Sequence, residues 1–218
     1  MKIKNADLFE SVPSLLSSLF ERCDYPFEVV AGLRSELEKI IKNPPVGLSV
    51  YKPGVLVGRG VTIEEGSTIL PPVIIMDGAT VRQGAYIRGS VLVGNGAVVG
   101  HATEIKNSIL MAGAEAPHFN YVGDSIMGNR AHVGAGVILS NLKADKSPII
   151  IKGTSSLSTG MVKLGAILGD GAEIGCSSVL NPGTVIGKGA RVYPLVSFRG
   201  VLPPDTIAKS ESIIVKKQ

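Results

Sequence analysis

The stretch between residues 116 and 141 holds the side chains of this 218-residue chain that are best suited to chemistry. It reads APHFNYVGDSIMGNRAHVGAGVILSN and places His118 among polar neighbours. An imidazole titrates near neutral pH and can take a proton from an attacking amine. An amide such as that of Asn141 can donate a hydrogen bond to the oxyanion that such an attack creates. We predict acid–base chemistry in this stretch, with His118 as the base.

Two cations upstream, Arg88 and Lys106, are suited to clamp a phosphate group, because guanidinium and ammonium groups bind phosphate oxygens strongly. The basic residues are otherwise dispersed and the net charge is only +4, which argues against a nucleic-acid protein.

His101, His118 and His132 are separated by 17 and 14 residues, so no two of them are close in sequence. We therefore predict no metal site.

A six-residue repeat must position these side chains. Aliphatic residues recur without a slip at Val57, Ile63, Ile69, Ile75, Val81, Ile87, Val93, Val99 and Ile105. Small residues recur between them, in a chain with 27 glycines and 44% hydrophobic residues. Three such hexads form a triangular coil with the aliphatics inside, and stacked coils pair their strands about 4.8 Å apart. The pattern predicts a mainly β protein, a parallel β-helix of hexapeptide repeats.

The repeat loses its frame after Ile105. The inward positions then run through Leu110, Ala116, Val122, Met127, Val133 and Leu139, with two steps of five residues instead of six. A shortened hexad must distort a turn, and distorted turns often carry functional residues.

Three further segments flank or interrupt the coils. Residues 1–45 read as a helical cap, with a helix over roughly 26–42, which we expect to cover the open end of the first coil. The β-helix is predicted over 46–205, interrupted by a protruding loop or hairpin at 141–164. Residues 206–218 read as a C-terminal extension.

The order HFNYVGDSIMG…VGAGVILSN resembles the acetyltransferase half of the bifunctional N-acetylglucosamine-1-phosphate uridyltransferase/glucosamine-1-phosphate acetyltransferase. It is similar also to the C-terminal domain of archaeal-type sugar-1-phosphate nucleotidylyltransferases. The resemblance covers about residues 51–205 and implies left-handed coils. It implies His118 and Asn141 as catalytic residues, and Arg88, Lys106 and Tyr121 as substrate-binding residues.

The same resemblance implies acetyl-CoA as co-substrate, with no metal required for the transfer. Lys146 and Lys152 resemble a lysine-bearing loop of the archaeal-type relatives, and Cys176 falls near their cofactor. Cys176 stands where many relatives have serine, and His132 where many have asparagine. Family members are homotrimers, so we expect each site to use residues of two chains.

These observations predict an acetyl-CoA-dependent N-acetyltransferase acting on an amino-sugar 1-phosphate. The alternatives are another acyltransferase with a different amine or hydroxyl substrate, and a non-catalytic module that partners a separate sugar-phosphate nucleotidyltransferase. No glycine-rich nucleotidyl domain opens the chain, so we expect no uridylyltransferase activity. The two dispersed cysteines, the lack of a signal peptide and the lack of a long apolar run favour a cytoplasmic protein without a membrane span.

Overall fold

The computed structural model describes residues 3–153, 156–210 and 212–216. It opens with α1 (Asn5–Leu8), a 3-10 turn (Ser14–Leu16), α2 (Ser17–Glu21) and α3 (Pro26–Lys42). Proline occupies the first helical position of α3, where its missing N–H is not needed, and the Tyr25 amide donates to the Glu28 carboxylate over 2.9 Å. The predicted helix over 26–42 is confirmed. No helix in the described ranges is long and apolar enough to cross a bilayer.

The rest of the chain winds into a parallel β-helix with three faces. Sheet A contains Ser49–Lys52, Val55–Val57, Val73–Ile75, Val91–Val93, Ser108–Leu110, Ile126–Met127, Ala166–Leu168, Thr184–Ile186 and Val201–Leu202. Sheet B contains Thr62–Ile63, Thr80–Val81, Val98–His101, Glu115–His118, His132–Val133, Glu173–Ile174, Arg191–Val192, Thr206–Ala208 and Ile214–Lys216. Sheet C contains Thr68–Leu70, Tyr86–Arg88, Glu104–Lys106, Tyr121–Gly123, Ile138–Leu139, Val179–Leu180 and Ser197–Phe198.

The strands of all three sheets point apolar side chains into the coil, two of them from strands such as Val73–Ile75 and Val91–Val93, and these side chains form one continuous buried core. The two five-residue steps are confirmed, because Ile105, Leu110, Val122 and Met127 all lie in that core. Both steps fall at the corner between sheet C and sheet A. The predicted fold class, a β-helix of hexapeptide repeats with N-terminal helices and a hairpin, is confirmed.

The helices do not cover the open end of the first coil, so that expectation was wrong. They pack against the outer face of sheet A. A column of outward aliphatic residues crosses that face in register and is buried with the helices: Leu56, Ile74, Leu92, Ile109, Ile126, Ile167 and Val185. Such a column exposes more apolar area than one coil end, so covering it removes more apolar surface from water. An antiparallel strand, Ser49–Lys52, pairs with the first strand of sheet A instead.

The excursion at 141–164 leaves and rejoins the coils at the corner between sheets C and A. It carries an antiparallel hairpin of Ile150–Lys152 and Ser156–Ser158. Ile149 and Ile151 are buried in the same cluster as the outer face of sheet A. The hairpin therefore lies against the three-sided β-helix, which we call the prism. At the C-terminal end, Thr206–Ala208 adds a parallel strand to sheet B and Ile214–Lys216 pairs with it antiparallel. The strands therefore continue past residue 205, where we had placed the end of the β-helix.

Candidate active site

Two stacked, shortened corners bring several polar side chains together around one buried carboxylate. Asn107 and Asp124 occupy equivalent places in successive coils, each at a positive φ of 46° and 48°. Asparagine and aspartate tolerate this left-handed conformation better than other residues with side chains. The Asn107 amide donates to Asp124 Oδ1 over 2.8 Å. The frame slips thus bring a carboxylate and an amide side by side.

Asp124 is 4% exposed and is the centre of what we call the Asp124 cluster, formed with Lys106, Asn107 and Asn141. Lys106 Nζ donates to Asp124 Oδ2 over 3.3 Å, and Asn141 Nδ2 donates to the same oxygen over 2.5 Å. A buried carboxylate needs this many donors, because each lost water must be replaced. The cluster holds Lys106 and Asn141, two predicted site residues, in fixed positions.

Tyr121 leans over Gly123 toward this cluster. A Cβ atom added at Gly123 would lie 2.6 Å from the tyrosine hydroxyl oxygen and 2.8 Å from Asn141 Nδ2, so only glycine leaves room for both. Burial raises the pKa of the Tyr121 hydroxyl, and the negative charges of Asp124 and Glu104 raise it further. The Tyr121 hydroxyl therefore stays protonated up to a higher pH than an exposed tyrosine hydroxyl does.

Arg88 and Lys106 lie in the same outward column of sheet C, one coil apart. Arg88 Nη1 donates to Glu104 Oε1 over 2.7 Å, and its guanidinium carbon lies 5.8 Å from the centre of the Tyr86 ring. This hydrogen bond, together with the charge of Glu104, raises the pKa of Arg88. Both predicted phosphate-binding cations are thus paired with carboxylates in the single chain.

His118 ends the strand Glu115–His118 at the corner between sheets B and C. The buried Asn120 fixes the backbone there: its Oδ1 accepts from the His118 amide over 3.0 Å and its Nδ2 donates to the Gly134 carbonyl over 2.7 Å. The His118 side chain is exposed, and its ring nitrogens have no hydrogen-bond partner among the described residues. The imidazole is positioned by its backbone and open to a ligand.

His101 is the neighbour of His118 in the preceding coil. Its Nδ1 lies 2.8 Å from the Gln83 carbonyl oxygen, and its ring meets that of Phe119 edge to face at 5.4 Å. His101 and His118 are thus neighbours in space although they are 17 residues apart in sequence, because 17 residues make one shortened coil here. The argument from sequence spacing that no two histidines are close was therefore wrong. Within the described ranges, no group of three His, Cys, Asp or Glu residues has the geometry to hold a metal ion.

The three residues predicted to contact the cofactor do not come together in one chain. Cys176 is exposed in the column of His118, two coils further along, at the edge of a groove of about 440 Å³. His132 lines the same groove, and its Nδ1 lies 3.0 Å from Glu173 Oε2. Lys146 and Lys152 lie on the excursion, at the opposite edge of sheet C. Asn141 lies at that edge as well, across sheet C from His118.

Sequence reasoning missed Asp124, Asn107 and Glu104. One signal was available for the first two, since each five-residue step contains one of them at its corner. Glu104 carried no such signal, because its partner Arg88 is 16 residues away.

A protein-family profile, the GMPPB C-terminal domain, matches residues 69–159. That range includes every predicted site residue except Cys176. It is less than half of the chain.

Relatives match over a similar share. The bifunctional sugar-1-phosphate nucleotidylyltransferase/acetyltransferase of Sulfurisphaera tokodaii is 38% identical over 86 residues, which cover 38% of this chain and 21% of that protein. The bifunctional protein GlmU of Methanococcus aeolicus is 32% identical over 107 residues, covering 49% and 26%. This chain thus spans about a quarter or less of the length of these relatives.

Among solved structures, a variant of AntD, an N-acyltransferase from Bacillus cereus solved with dTDP and coenzyme A, aligns with a TM-score of 0.44 and 18% identity. The alignment covers 74% of this chain and 83% of that one. The sequence comparisons confirm the resemblance to the bifunctional sugar-1-phosphate nucleotidylyltransferase/acetyltransferases that the His118 stretch predicts.

Proposed function

We propose that the chain is an acetyl-CoA-dependent N-acetyltransferase that acts on an amino-sugar 1-phosphate. The main support is the arrangement on sheet C. An open imidazole, His118, lies at one edge, two cations lie in one outward column, and an amide held by Asp124 lies at the other edge. Acyl transfer to an amine needs a base, an oxyanion donor and a means of holding the phosphate.

The substrate amine attacks in its neutral form, and His118 accepts a proton from its nitrogen as that nitrogen bonds to the thioester carbonyl carbon. The new C–N bond forms while the carbonyl oxygen becomes an oxyanion, which Asn141 stabilises by turning toward it the N–H that faces the Tyr121 hydroxyl in the single chain. When the C–S bond breaks, the imidazolium returns its proton to the leaving thiolate. Free CoA and the N-acetylated sugar phosphate result.

The substrate phosphate binds beside Arg88 and Lys106 without breaking their ion pairs completely. A guanidinium has five N–H donors, and only one is committed to Glu104. The carboxylates Glu104 and Asp124 then hold the two cations in the orientation that the phosphate requires.

A homotrimer completes this site. His118 and Asn141 lie at opposite edges of sheet C, so a single chain does not offer both to one carbonyl carbon. A neighbouring prism that packs against this face would supply the missing group, and an elongated CoA would lie between the two chains.

The second candidate is a non-catalytic module that partners a separate nucleotidyltransferase. It is favoured by the pairing of both cations and by the lack, in the described part of the chain, of a carboxylate that orients the His118 ring.

A thiol-release assay with acetyl-CoA and glucosamine 1-phosphate separates the two candidates. We expect wild type to turn over, and His118→Ala to lose about two orders of magnitude or more, the range of general-base catalysis. Arg130→Gln is the matched control, because Arg130 is exposed at the corner between sheets A and B, away from sheet C. Absence of turnover by wild type with every amino-sugar phosphate would favour the module.

A further inference from the structure

A cavity of about 570 Å³ opens between the excursion and the last coils of sheet C. The cavity lies further along the outward column of sheet C that contains Arg88 and Lys106, since Ser140, Asn181 and Arg199 line it. From Lys106 the column runs through Gly123, Ser140 and Asn181 to Arg199, which is four coils or about 19 Å at the usual spacing between strands. The volume of the cavity is that of a small-molecule site.

The hairpin forms one wall of this cavity through simple strand alternation. Ile149 and Ile151 point into the apolar cluster and are buried. Ile150 and Lys152 therefore point the other way, and both line the cavity.

Two glycines fix this wall tightly against the coils. A Cβ atom at Gly183 would lie 2.6 Å from Cγ2 of Ile149, and one at Gly200 would lie 3.1 Å from the Lys152 carbonyl oxygen. The φ angles of 79° and 113° at these residues also favour glycine. The cavity is thus a built feature of the prism, and Lys152 is held at a fixed place in its wall.

The charges in the cavity are mainly positive. Lys152 and Arg199 have no ion-pair partner among the described residues, whereas Lys143 pairs with Asp145 over 3.8 Å. Two uncompensated cations remain, so the cavity attracts an anion. Ile150 and Pro182 add apolar surface beside them.

We propose that this cavity binds a nucleotide, with a phosphate group between Lys152 and Arg199 and the base against Ile150 and Pro182. The proposal does not depend on acetyl transfer, because it concerns binding alone. The nucleotide is either a free ligand or the adenosine phosphate end of CoA, which carries the same chemistry.

Isothermal titration of the full chain with ADP, and with adenosine as the phosphate-free counterpart, tests the proposal. We expect wild type to bind ADP at least tenfold more tightly than adenosine. Arg199→Gln and Lys152→Gln should each weaken ADP binding at least tenfold, and Arg130→Gln should stay within twofold. Ile150→Asp, which places a carboxylate in the cavity, should weaken ADP further. A melting temperature for each variant establishes that it is folded.

Competition by CoA assigns the source of the nucleotide: displacement of ADP identifies the cofactor, and failure to displace it identifies a free nucleotide. Wild-type affinity for ADP in Arg199→Gln, Lys152→Gln and Ile150→Asp would overturn the proposal. Equal binding of adenosine and ADP, or no binding of ADP by wild type, would overturn it as well.

Discussion

At the scale of single residues, Asp124 organises more of the candidate site than any residue with an evident chemical role. It accepts from an ammonium and two amides while almost wholly buried. Without that charge, the three donors face a group that cannot accept from all of them. A buried donor left without a partner lowers the free energy of unfolding by its full desolvation penalty.

Asp124→Asn tests this role, because it keeps the shape of the side chain and removes the charge. Its own NH₂ group must face the amide of Asn107 or Asn141. We expect the free energy of unfolding to fall by about 1–3 kcal/mol, measured by urea denaturation. The matched control is Asp145→Asn, at an exposed aspartate whose pKa is lowered chiefly by a hydrogen bond from the Ser147 amide. Equal denaturation midpoints for Asp124→Asn and wild type would show that the cluster adds nothing.

Tyr121 gives a second prediction, on pH. Its folded-state pKa is raised above 10.0 by burial and by Asp124 and Glu104. The folded chain therefore holds the proton more tightly than the unfolded chain, and stability falls as pH rises from the unfolded value through the folded one. Subtracting the 295 nm titration of Tyr121→Phe from that of wild type should show a midpoint above 10. A midpoint at or below the ordinary tyrosine value would contradict the buried position of the hydroxyl.

His118 could be predicted from sequence because its signal is local: a histidine in a polar break of an apolar repeat. Asp124 could not be assigned a role in this way, since its partners Asn107 and Asn141 are each 17 residues away. The frame slips marked the right corners, but a slip does not say which side chains meet there. That requires the length of each coil.

At the scale of elements, the coils were predictable and the position of the helices was not. Pro26 and the Asn43-Pro44-Pro45 run mark the ends of α3 by local rules. Which surface the helix covers depends on the outward column of sheet A, whose members recur once per coil instead of once per hexad. A search for period six sees only the inward residues.

Leu33→Ala tests the packing of α3 on sheet A. Leu33 is fully buried in the cluster that contains the outward column. We expect a loss of about 2–5 kcal/mol in the free energy of unfolding, from lost apolar burial and the cavity that remains. Ser35→Ala, at an exposed position two residues on, should change it by less than about 0.5 kcal/mol. Similar losses for both variants would indicate that the helix is only loosely attached.

At the scale of the whole molecule, the corner between sheets B and C is unusually apolar outside. Leu195 is 81% exposed and Phe119 is 59% exposed, and both have positive φ at equivalent corners. Large side chains in that backbone region are uncommon. This corner also carries His118, so the neighbour that completes the proposed site would cover it.

Sedimentation should give a mass three times the 22.7 kDa of one chain. Leu195→Asp should shift the mass toward that of the monomer and lower thiol release in parallel, because a charge would be buried at the contact. Val46→Asp, at a fully exposed residue before the first coil, should leave both unchanged. A monomeric wild type with full activity would rule out sites shared between chains.

The helical layer on sheet A has a consequence for the order of synthesis. Residues 5–42 leave the ribosome before any coil, so their apolar face is already present when the first outward residue of sheet A emerges. Each new coil can then bury its outward aliphatic residue against the apolar face of the helices as soon as the coil forms. The outward column of sheet A is therefore not exposed to solvent while it grows. If the helices followed the coils in the chain, the whole outward column of sheet A would be exposed to solvent until the helices were synthesised.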